Sequence, residues 1–322
     1  MRAALISELK SAPALGERDE PQPSAGRAIV ELRAAGLNPA DIAIASGSFP
    51  AGSPPLPYVP GIEGVGTVVE SARFAPGTRV WASGRGLGVA ADGTFAERFA
   101  ASDDVLVEVP SEADDLHAAA LGVVGLAAWM PLSWLSPVRA GETVLVLGAT
   151  GAVGSVAVQA AKILGAGRVV AVGRDAARLS RARELGADAV VELDGDGGLG
   201  DRLAASFEGA SPTLVFDTLW GPAVEAAAVA AGPGARIVQL GQSGGATATL
   251  ASGLLRGKSM QILGYTNFSV PLDAMARGYG DVLAHAAAGR ITIDVEAIPL
   301  ERAAEAWARQ VQGPATKLVL VP

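Results

Sequence analysis

Short runs of alternating apolar and polar residues mark the beginning of the chain. Such alternation predicts half-buried strands, because successive side chains of a strand point to opposite faces of a sheet. The runs lie at 28–33, 66–70, 78–81 and 105–109. Stretches rich in Gly and Pro, such as residues 48–57, separate them and are typical of loops. The first part of the chain is therefore predicted to be mostly β.

The pattern changes near residue 111, where strands and helices begin to alternate. Short apolar runs predict strands at 144–147, 169–172, 189–193, 214–216, 236–240 and 260–263. Helical periodicity predicts helices at 152–164, 176–185, 199–207, 272–288 and 302–311. Repeated β–α units of this size predict a doubly wound parallel sheet. We expect the apolar strand 317–321 to return to the first domain, because a closing strand needs a sheet to join.

The composition of the 322 residues narrows the classes of function. The net charge of −8, without a basic stripe, argues against a nucleic-acid partner, which needs many Lys and Arg contacts to phosphate. The absence of cysteine excludes disulfides, thiol catalysis and thiolate metal sites. Residues 117–137 are apolar, but Pro131 and Pro137 interrupt them, so we expect buried helices and no membrane partner. Residues 1–10 predict a strand and no secretory signal, which indicates a cytoplasmic protein.

The strongest chemical motif follows the apolar run 144–147. It has the spacing of a dinucleotide-binding loop, with Gly151 as the middle glycine, Gly154 as the last, and Ala149 in place of the first. The middle glycine lets the backbone approach a pyrophosphate, and the last lets the following helix pack on the strand. A strand before the loop and a helix after it favour this function over a structural turn. The predicted cofactor-binding residues are Ala149, Thr150, Gly151, Ala152, Val153 and Gly154.

The end of the next strand predicts which dinucleotide binds. In NAD-specific proteins an acidic residue near this position binds the ribose hydroxyls. Here the strand ends at Gly173, and Arg174 and Arg178 follow. A guanidinium can bind the 2′-phosphate of NADPH, which a carboxylate would repel. The alternative is that both arginines are solvated charges at a helix start, with Asp175 as the cap and the local ion partner.

Further motifs lie at 35–41, 60–66, 148–154, 184–188, 234–245, 264–268 and 306–307, so they span nearly the whole chain. Together they resemble the zinc-free quinone oxidoreductase (zeta-crystallin-like) family of the medium-chain dehydrogenase/reductase superfamily. The resemblance implies an α/β protein with a mostly-β, GroES-like catalytic domain and a Rossmann domain, and hydride transfer from NADPH. The catalytic domain would begin with residues 1–120, the NADP-binding domain would span 121–266, and residues 267–322 would return to the catalytic domain.

The resemblance also concerns zinc. Zinc-dependent relatives carry a metal-binding His in a Gly-His-Glu triplet, whereas this chain has Ile62 between Gly61 and Glu63. His117 and His285 have no recognisable partner in the sequence and are expected to be surface or satisfied core histidines. We therefore predict no metal site. Substrates that accept hydride without a Lewis acid, such as quinones and activated enones, suit such a protein better.

The candidates for catalysis come from the resemblance. It implies that Asn38 lies near the nicotinamide, where it donates or accepts a hydrogen bond, and that Asp41 belongs to the same motif. The alternative is that the Asn-Pro pair starts a turn and Asp41 caps a short helix. Tyr265 is expected near the nicotinamide too, with an ordinary packing aromatic as the alternative. Phe49 and Val124 are expected in the substrate pocket. Many relatives carry Tyr at the position of Phe49, and relatives often carry Thr at the position of Val124.

The predicted function is an NADPH-dependent, zinc-independent reductase of a small molecule, either a quinone or an activated enone. An enoyl reductase acting on thioester-bound or natural-product intermediates is one alternative, and an NADPH-binding structural or sensory protein with little turnover is another. Gly241, Gln242 and Ser243 are expected to approach the nicotinamide, unless their loop is simply flexible. A homodimer is predicted through residues 259–264, because an apolar edge strand is usually covered or paired.

Overall fold

Two sheets of different kinds organise the chain. The computed structural model describes residues 1–193, 198–314 and 316–322. Unit 1 comprises residues 1–123, 271–288 and 293–322, and unit 2 comprises residues 124–270 and 289–292. A mixed sheet forms the centre of unit 1 and a parallel sheet that of unit 2, which confirms the predicted fold class. The predicted boundaries, after residues 120 and 266, lie three and four residues before those of the structure.

Unit 1 is built around one long strand with mostly buried residues. Its strands, numbered along the chain, are β1 (Arg2–Leu5), β2 (Ala14–Glu17), β3 (Arg27–Gly36), β4 (Glu63–Glu70), β5 (Arg79–Ser83), β6 (Arg98–Ser102), β7 (Leu106–Glu108), β14 (Val295–Pro299) and β15 (Lys317–Val321). Its helices are α1 (Pro39–Ala45), α2 (Asp115–Ala120), α9 (Leu272–Ala287) and α10 (Ala303–Gln312). The main sheet has the order β14-β15-β3-β4-β5-β7, β6 also pairs with β3, and β1 pairs with β2.

Several segments meet at the carboxyl end of β3, and this meeting positions the candidate residues of unit 1. β15 runs antiparallel to β3, with Val319 opposite Gly36. β4 is also antiparallel to β3, with Val65 opposite Ala34, so the beginning of β4 lies beside the end of β3. α1 starts almost immediately afterwards at Pro39, a residue that suits the first helical position because it has no N–H to leave unpaired.

Unit 2 contains a parallel sheet flanked by helices. Its strands are β8 (Thr143–Leu147), β9 (Arg168–Gly173), β10 (Ala189–Glu192), β11 (Leu214–Asp217), β12 (Arg236–Gln239) and β13 (Gln261–Gly264), in the order β10-β9-β8-β11-β12-β13. The helices are α3 (Val123–Met130), α4 (Ala152–Ile163), α5 (Ala176–Glu184), α6 (Leu199–Ser206), α7 (Gly221–Ala230) and α8 (Ser252–Lys258). The strand order reverses between β8 and β11. Doubly wound sheets bind ligands at such a switch point, beyond the carboxyl ends of the strands.

Five elements of the structure were absent from the sequence prediction, namely β2, β6, β14, α7 and α8, and α1 was predicted only as the short helix of the alternative for Asp41. The strands are short, and α1 and α8 have seven residues each, which is too few for a clear helical period. The apolar segment 117–137 contains α2, α3 and a π-helical turn at Pro131–Leu135. Among the described residues, no helix combines the length and the apolar character needed to span a bilayer.

Candidate functional site

The predicted dinucleotide loop connects β8 to α4 in unit 2. The backbone N–H groups of Gly148 and Ala149 donate to the carbonyl of Val172 in β9, at 3.0 and 2.8 Å. These bonds turn the chain across the end of the neighbouring strand. Gly151 is the residue just before α4, which begins at Ala152. The first N–H groups of α4 have no acceptor within the helix, so they are available to an anion beyond its N-terminus.

The glycines of this loop have different environments. A Cβ atom on Gly154 would overlap the carbonyl oxygen of Gly148, so this glycine lets α4 pack against the loop. A Cβ atom on Gly173 would overlap the side chain of Thr150, which places the end of β9 against the loop. By contrast, a Cβ atom on Gly151 would lie 3.6 Å from the carbonyl oxygen of Gly148 and meet nothing closer. Packing within the protein therefore does not require glycine at 151, whereas close approach of a ligand would.

The two arginines beyond β9 lie at the beginning of α5. Arg174 is exposed, directly after the last residue of the strand. Arg178 is half-buried, and its N–H donates to the carboxylate of Asp175 at 3.0 Å. Its guanidinium lies 3.6 Å from the same carboxylate. Asp175 thus caps α5, as the alternative interpretation of this segment expected, while Arg174 follows Gly173, the residue at the place of the acid in NAD-specific proteins.

The loop after β12 is joined to the turn after β11. The N–H and hydroxyl of Ser243 both donate to the carbonyl of Thr218, at 3.4 and 3.2 Å. Gly241 lies so close to the same carbonyl that a Cβ atom would be 2.5 Å from it. Gln242 is exposed between these two residues. The segment 241–243 is therefore held at the carboxyl end of the sheet by hydrogen bonds.

The three remaining candidates, from both units, are buried or half-buried. Tyr265 follows β13, and its hydroxyl is 2.7 Å from Oδ1 of Asn267, to which it donates. Burial raises the pKa of this hydroxyl. Val124 is buried in α3. Phe49 belongs to unit 1, where it follows α1 and packs against the core. The roles predicted for these three residues stay predictions.

Asn38 and Asp41 lie together at the start of α1, and both are buried. The N–H of Asn38 donates to Oδ2 of Asp41 at 2.8 Å, and the N–H of Ile62 donates to Oδ1 at 3.0 Å. Asp41 thus caps the helix and ties it to the segment before β4. The side-chain amide of Asn38 donates to the carbonyl of Gly36 at 2.9 Å and to Oε1 of Glu63 at 2.8 Å. Both amide hydrogens of Asn38 are therefore used within unit 1, and its predicted hydrogen bond near the nicotinamide stays a prediction.

Glu63 is the centre of a buried polar cluster that the sequence analysis did not identify. Besides Asn38, its carboxylate accepts from the indole N–H of Trp81 at 3.1 Å and from the N–H of Val123 at 2.7 Å. The ammonium of Lys317 lies 3.5 Å from Oε1 of Glu63, and it also donates to Oδ1 of Asn38 at 2.6 Å and to the carbonyl of Leu37 at 2.9 Å. Lys317 therefore supplies the positive charge that balances a fully buried carboxylate.

This donor set does not fit a zinc ion. Ile62, at the position of the expected histidine ligand, is buried in the core and offers no lone pair. The carboxylate of Glu63 already accepts from four donors. Within residues 1–193, 198–314 and 316–322, no three His, Cys, Asp or Glu side chains are grouped as metal ligands would be. His117 of α2 is exposed and pairs with Asp114, the residue that caps this helix, and His285 is half-buried in α9.

Asp41 is expected to make the stability of the protein depend on pH. Burial raises the pKa of its carboxyl group from 3.8 to about 7, although hydrogen bonds from Asn38 and the charge of Lys317 lower it. Between these two values the native state holds a proton that the unfolded chain has lost, so the free energy of unfolding falls as the pH rises. Asp41→Asn removes this group. Across that window, denaturant titrations should show wild type losing about 4 kcal/mol relative to the variant.

Asp188→Asn is a control, because the contribution of Asp188 to the free energy of unfolding should depend on pH in the opposite direction. Burial raises the pKa of Asp188, but hydrogen bonds from Lys162 and Val169 outweigh it, so the net shift is downward. The contribution of Asp188 should therefore be lost as the pH falls through its folded pKa. Parallel pH profiles of wild type and Asp41→Asn would contradict the expected titration of Asp41.

Two families of known domains match this chain. The description "Alcohol dehydrogenase GroES-like domain" matches residues 24–111, and "Zinc-binding dehydrogenase" matches residues 152–277. The "Zinc-type alcohol dehydrogenase-like protein C337.11" of Schizosaccharomyces pombe is 35% identical over 188 residues, which are 55% of this chain and 57% of that one. The human "Quinone oxidoreductase" is 32% identical over 172 residues, 51% of this chain and 50% of its own. The matches thus cover only about half of these relatives.

A longer match is part of a much larger protein. One component of the phenolphthiocerol/phthiocerol polyketide synthase of Mycobacterium tuberculosis is 29% identical over 308 residues, 93% of this chain but 14% of the synthase component. Among solved structures, an alcohol dehydrogenase superfamily protein from Novosphingobium aromaticivorans has a TM-score of 0.84 and 28% identity, covering 100% of this chain and 99% of its own. The quinone oxidoreductase of Escherichia coli, complexed with NADPH, has a TM-score of 0.88, covers 100% of both chains and shares the fold at 23% identity.

Proposed function

Because the chain belongs to the quinone oxidoreductase-like family of the medium-chain dehydrogenase/reductase superfamily, we propose that it is an NADPH-dependent reductase that works without zinc. The proposed substrate class is a quinone or an activated enone. One observation carries the cofactor part of the proposal. The loop between β8 and α4 leaves space at Gly151, and the neighbouring strand ends at Gly173 without a carboxylate and is followed by the exposed Arg174.

The residues of unit 2 fit a dinucleotide phosphate. The first N–H groups of α4 would bind the pyrophosphate, because they have no acceptor of their own. The guanidinium of Arg174 would bind the 2′-phosphate through a charge-assisted pair, and Arg178 would add positive charge. The loop 241–243 would contact the nicotinamide half, since it lies at the end of β12, beyond the switch point. When bound, the dinucleotide supplies the hydride.

The substrate class follows from the composition of the buried cluster in unit 1. Ile62 offers no ligand and Glu63 is fully engaged, so these residues cannot present a metal to a carbonyl group. A substrate that needed a Lewis acid for polarisation would react poorly. Quinones and activated enones accept hydride without that assistance, which favours them over simple ketones and alcohols.

A panel of acceptors tests the proposal. Oxidation of NADPH would be followed by absorbance with quinones, enones, enoyl thioesters and simple ketones, and then with NADH in place of NADPH. We expect turnover with quinones or enones, little with ketones, and a preference for NADPH. Tight binding of NADPH without turnover on any acceptor would instead indicate a structural or sensory protein.

Enoyl thioesters are the second candidate class of substrate. The match to the polyketide synthase spans 93% of this chain, which is more than the matches to the quinone oxidoreductases span. Turnover on enoyl thioesters well above that on quinones would favour this alternative.

Chelation is expected to leave the protein folded and active. The measurement combines metal analysis of the purified protein with activity and thermal unfolding after prolonged treatment with a chelator. The physical reason is the lack of a fitting ligand set around Ile62 and Glu63. Zinc at one equivalent per chain, lost together with activity on chelation, would contradict the proposal.

We further propose a homodimer that pairs β13 with its symmetry mate. β13 is an edge strand of the sheet in unit 2, and Ile262 at its centre is 40% exposed. An open apolar edge favours pairing with a second copy. Ile262→Lys is expected to convert the dimer to a monomer in light scattering. Val229→Lys is the matched control, because Val229 is an exposed apolar residue on α7. A wild-type monomer at micromolar concentration, or equal dissociation of both variants, would argue against this interface.

A further inference from the structure

Asp217 is a buried carboxylate at the end of β11, and the function proposed above does not use it. Its Oδ1 accepts hydrogen bonds from the N–H groups of Leu219 and Trp220, at 2.8 and 2.9 Å. Its Oδ2 is buried and has no hydrogen-bond partner among the residues that the structure describes. Burial raises the pKa of this carboxyl group, although the two N–H groups lower it. Burying a carboxyl oxygen without a hydrogen-bond partner costs free energy of folding. We therefore expect Asp217 to have a role that offsets this cost.

The hydrogen bonds of Asp217 hold a strained turn. Trp220 has a φ of 58°, a backbone conformation that residues other than glycine rarely adopt. Gly221 follows with a φ of 61° and starts α7. Both N–H groups donate to Oδ1, so the carboxylate closes the turn of residues 217–220 just before α7 begins. Asp217 thereby determines the path of the chain between β11 and α7.

This turn is attached on one side to the strand that carries the dinucleotide loop. Asp217 is opposite Leu147, the last residue of β8, across the switch point of the sheet. The N–H and hydroxyl of Thr218 both donate to the carbonyl of Leu147, at 3.3 and 2.9 Å. A Cβ atom on Gly148 would overlap that hydroxyl, so the turn and the loop are in close contact.

On its other side the turn is attached to the loop after β12. The N–H of Gly244 donates to the carbonyl of Leu219 at 2.7 Å, and Ser243 donates twice to the carbonyl of Thr218. Two carbonyl groups of the turn therefore hold the loop 241–245. A change in the direction of these carbonyls would move the loop with them.

We propose that Asp217 is a positioning residue for the nicotinamide half of the dinucleotide, an inference that rests on the proposed function. In a doubly wound sheet the dinucleotide spans the switch point, so one half lies beyond β8 and β9 and the other beyond β11 and β12. Asp217 orients the turn after β11 and, through it, the loop 241–245. Its effect is therefore expected mainly on the second half of the ligand, because the loop between β8 and α4 is also held by its own hydrogen bonds to Val172.

The test compares NADPH with adenosine 2′,5′-bisphosphate, which contains only the adenosine half. Asp217→Leu replaces the carboxylate with a side chain of similar size that cannot accept a hydrogen bond. It should weaken NADPH binding roughly tenfold or more and change the binding of the fragment less than about threefold. Asp217→Asn keeps an accepting oxygen and should bind both ligands within about threefold of wild type. Dissociation constants from calorimetry provide the comparison.

Two further variants keep the test decisive. Gly244→Ala changes only an exposed loop, where the new Cβ atom would lie 3.1 Å from the carbonyl oxygen of Leu219. It should therefore weaken the binding of NADPH but not that of the fragment. This variant keeps the test possible even if Asp217→Leu fails to fold. Asp188→Asn is the control, since this acid bonds to Lys162 and Val169 at the opposite end of the sheet, and it should not change the ratio of the two affinities. If the Asp217 and Gly244 variants weaken both ligands equally, or neither, the inference is wrong. If wild type binds neither ligand, the proposed function itself is wrong.

Discussion

Replacing Arg174 with alanine is expected to weaken NADPH binding roughly ten- to a hundredfold and to leave NADH binding nearly unchanged. The guanidinium is exposed at the end of β9, where it would meet the 2′-phosphate that only NADPH carries. A hydrogen bond to a charged group contributes about 1.5–3 kcal/mol, which sets the size of the effect. Titrations of both dinucleotides against wild type and variant, by fluorescence or calorimetry, measure it.

Arg181→Ala is the matched control for this experiment. Arg181 lies in the helix that follows Arg174, α5, about two helical turns further from the strand end, and pairs with Glu184 at 2.8 Å. Its removal should change neither affinity, since exposed pairs of this kind contribute only about 0–1 kcal/mol to stability. Wild type that binds NADH as tightly as NADPH would refute the role of Arg174. A variant that loses both ligands equally would show that Arg174 acts on the fold of the loop and not on the phosphate.

The second large effect is expected from Lys317→Met, which should lower the free energy of unfolding by about 3–5 kcal/mol. The substitution preserves most of the aliphatic stem but leaves the buried carboxylate of Glu63 without its cation. Burial lowers the pKa of Lys317, although the charges of Glu63 and Asp41 raise it. Urea unfolding at constant pH measures the loss.

Lys162→Met is the control, because Lys162 forms a comparable pair with Asp188 that is about a third exposed. That pair should contribute only about 0–1 kcal/mol. Adding Glu63→Gln to Lys317→Met removes the unpaired charge and should recover part of the lost stability, as a double-mutant cycle would show. If Lys317→Met and Lys162→Met lower the free energy of unfolding equally, or if the double variant recovers no stability, the buried pair is not what stabilises this part of unit 1.

Local patterns in the sequence were sufficient for the parallel sheet and for the presence of a loop between β8 and α4. The apolar run that became β8, the glycines to Gly154 and the helix α4 are adjacent in the chain, so their geometry depends on interactions over a few residues. The absence of an acidic residue at the end of β9 could be recognised from the sequence for the same reason. Elements with few residues or no clear period, such as α7 and α8, could not be predicted in this way.

The buried cluster of unit 1 required the tertiary structure. Asn38 and Asp41 were identified as candidates, but their partners are distant in sequence, since Lys317 is 279 residues from Asn38 and 254 from Glu63. Periodicity shows that a residue is buried without showing what it faces. The structure thus showed that both amide hydrogens of Asn38 are already used.

The sequence by itself determined the two kinds of sheet, the loop between β8 and α4 and the arginine after β9, because each depends on residues close together in the chain. Only the tertiary structure decided which buried charges pair, that Glu63 is fully engaged, and that Asp217 holds the turn between two loops of unit 2. The physical reason is that the cost of burying a charge depends on the donors around it. Those donors come from strands and turns that only the folded chain brings together.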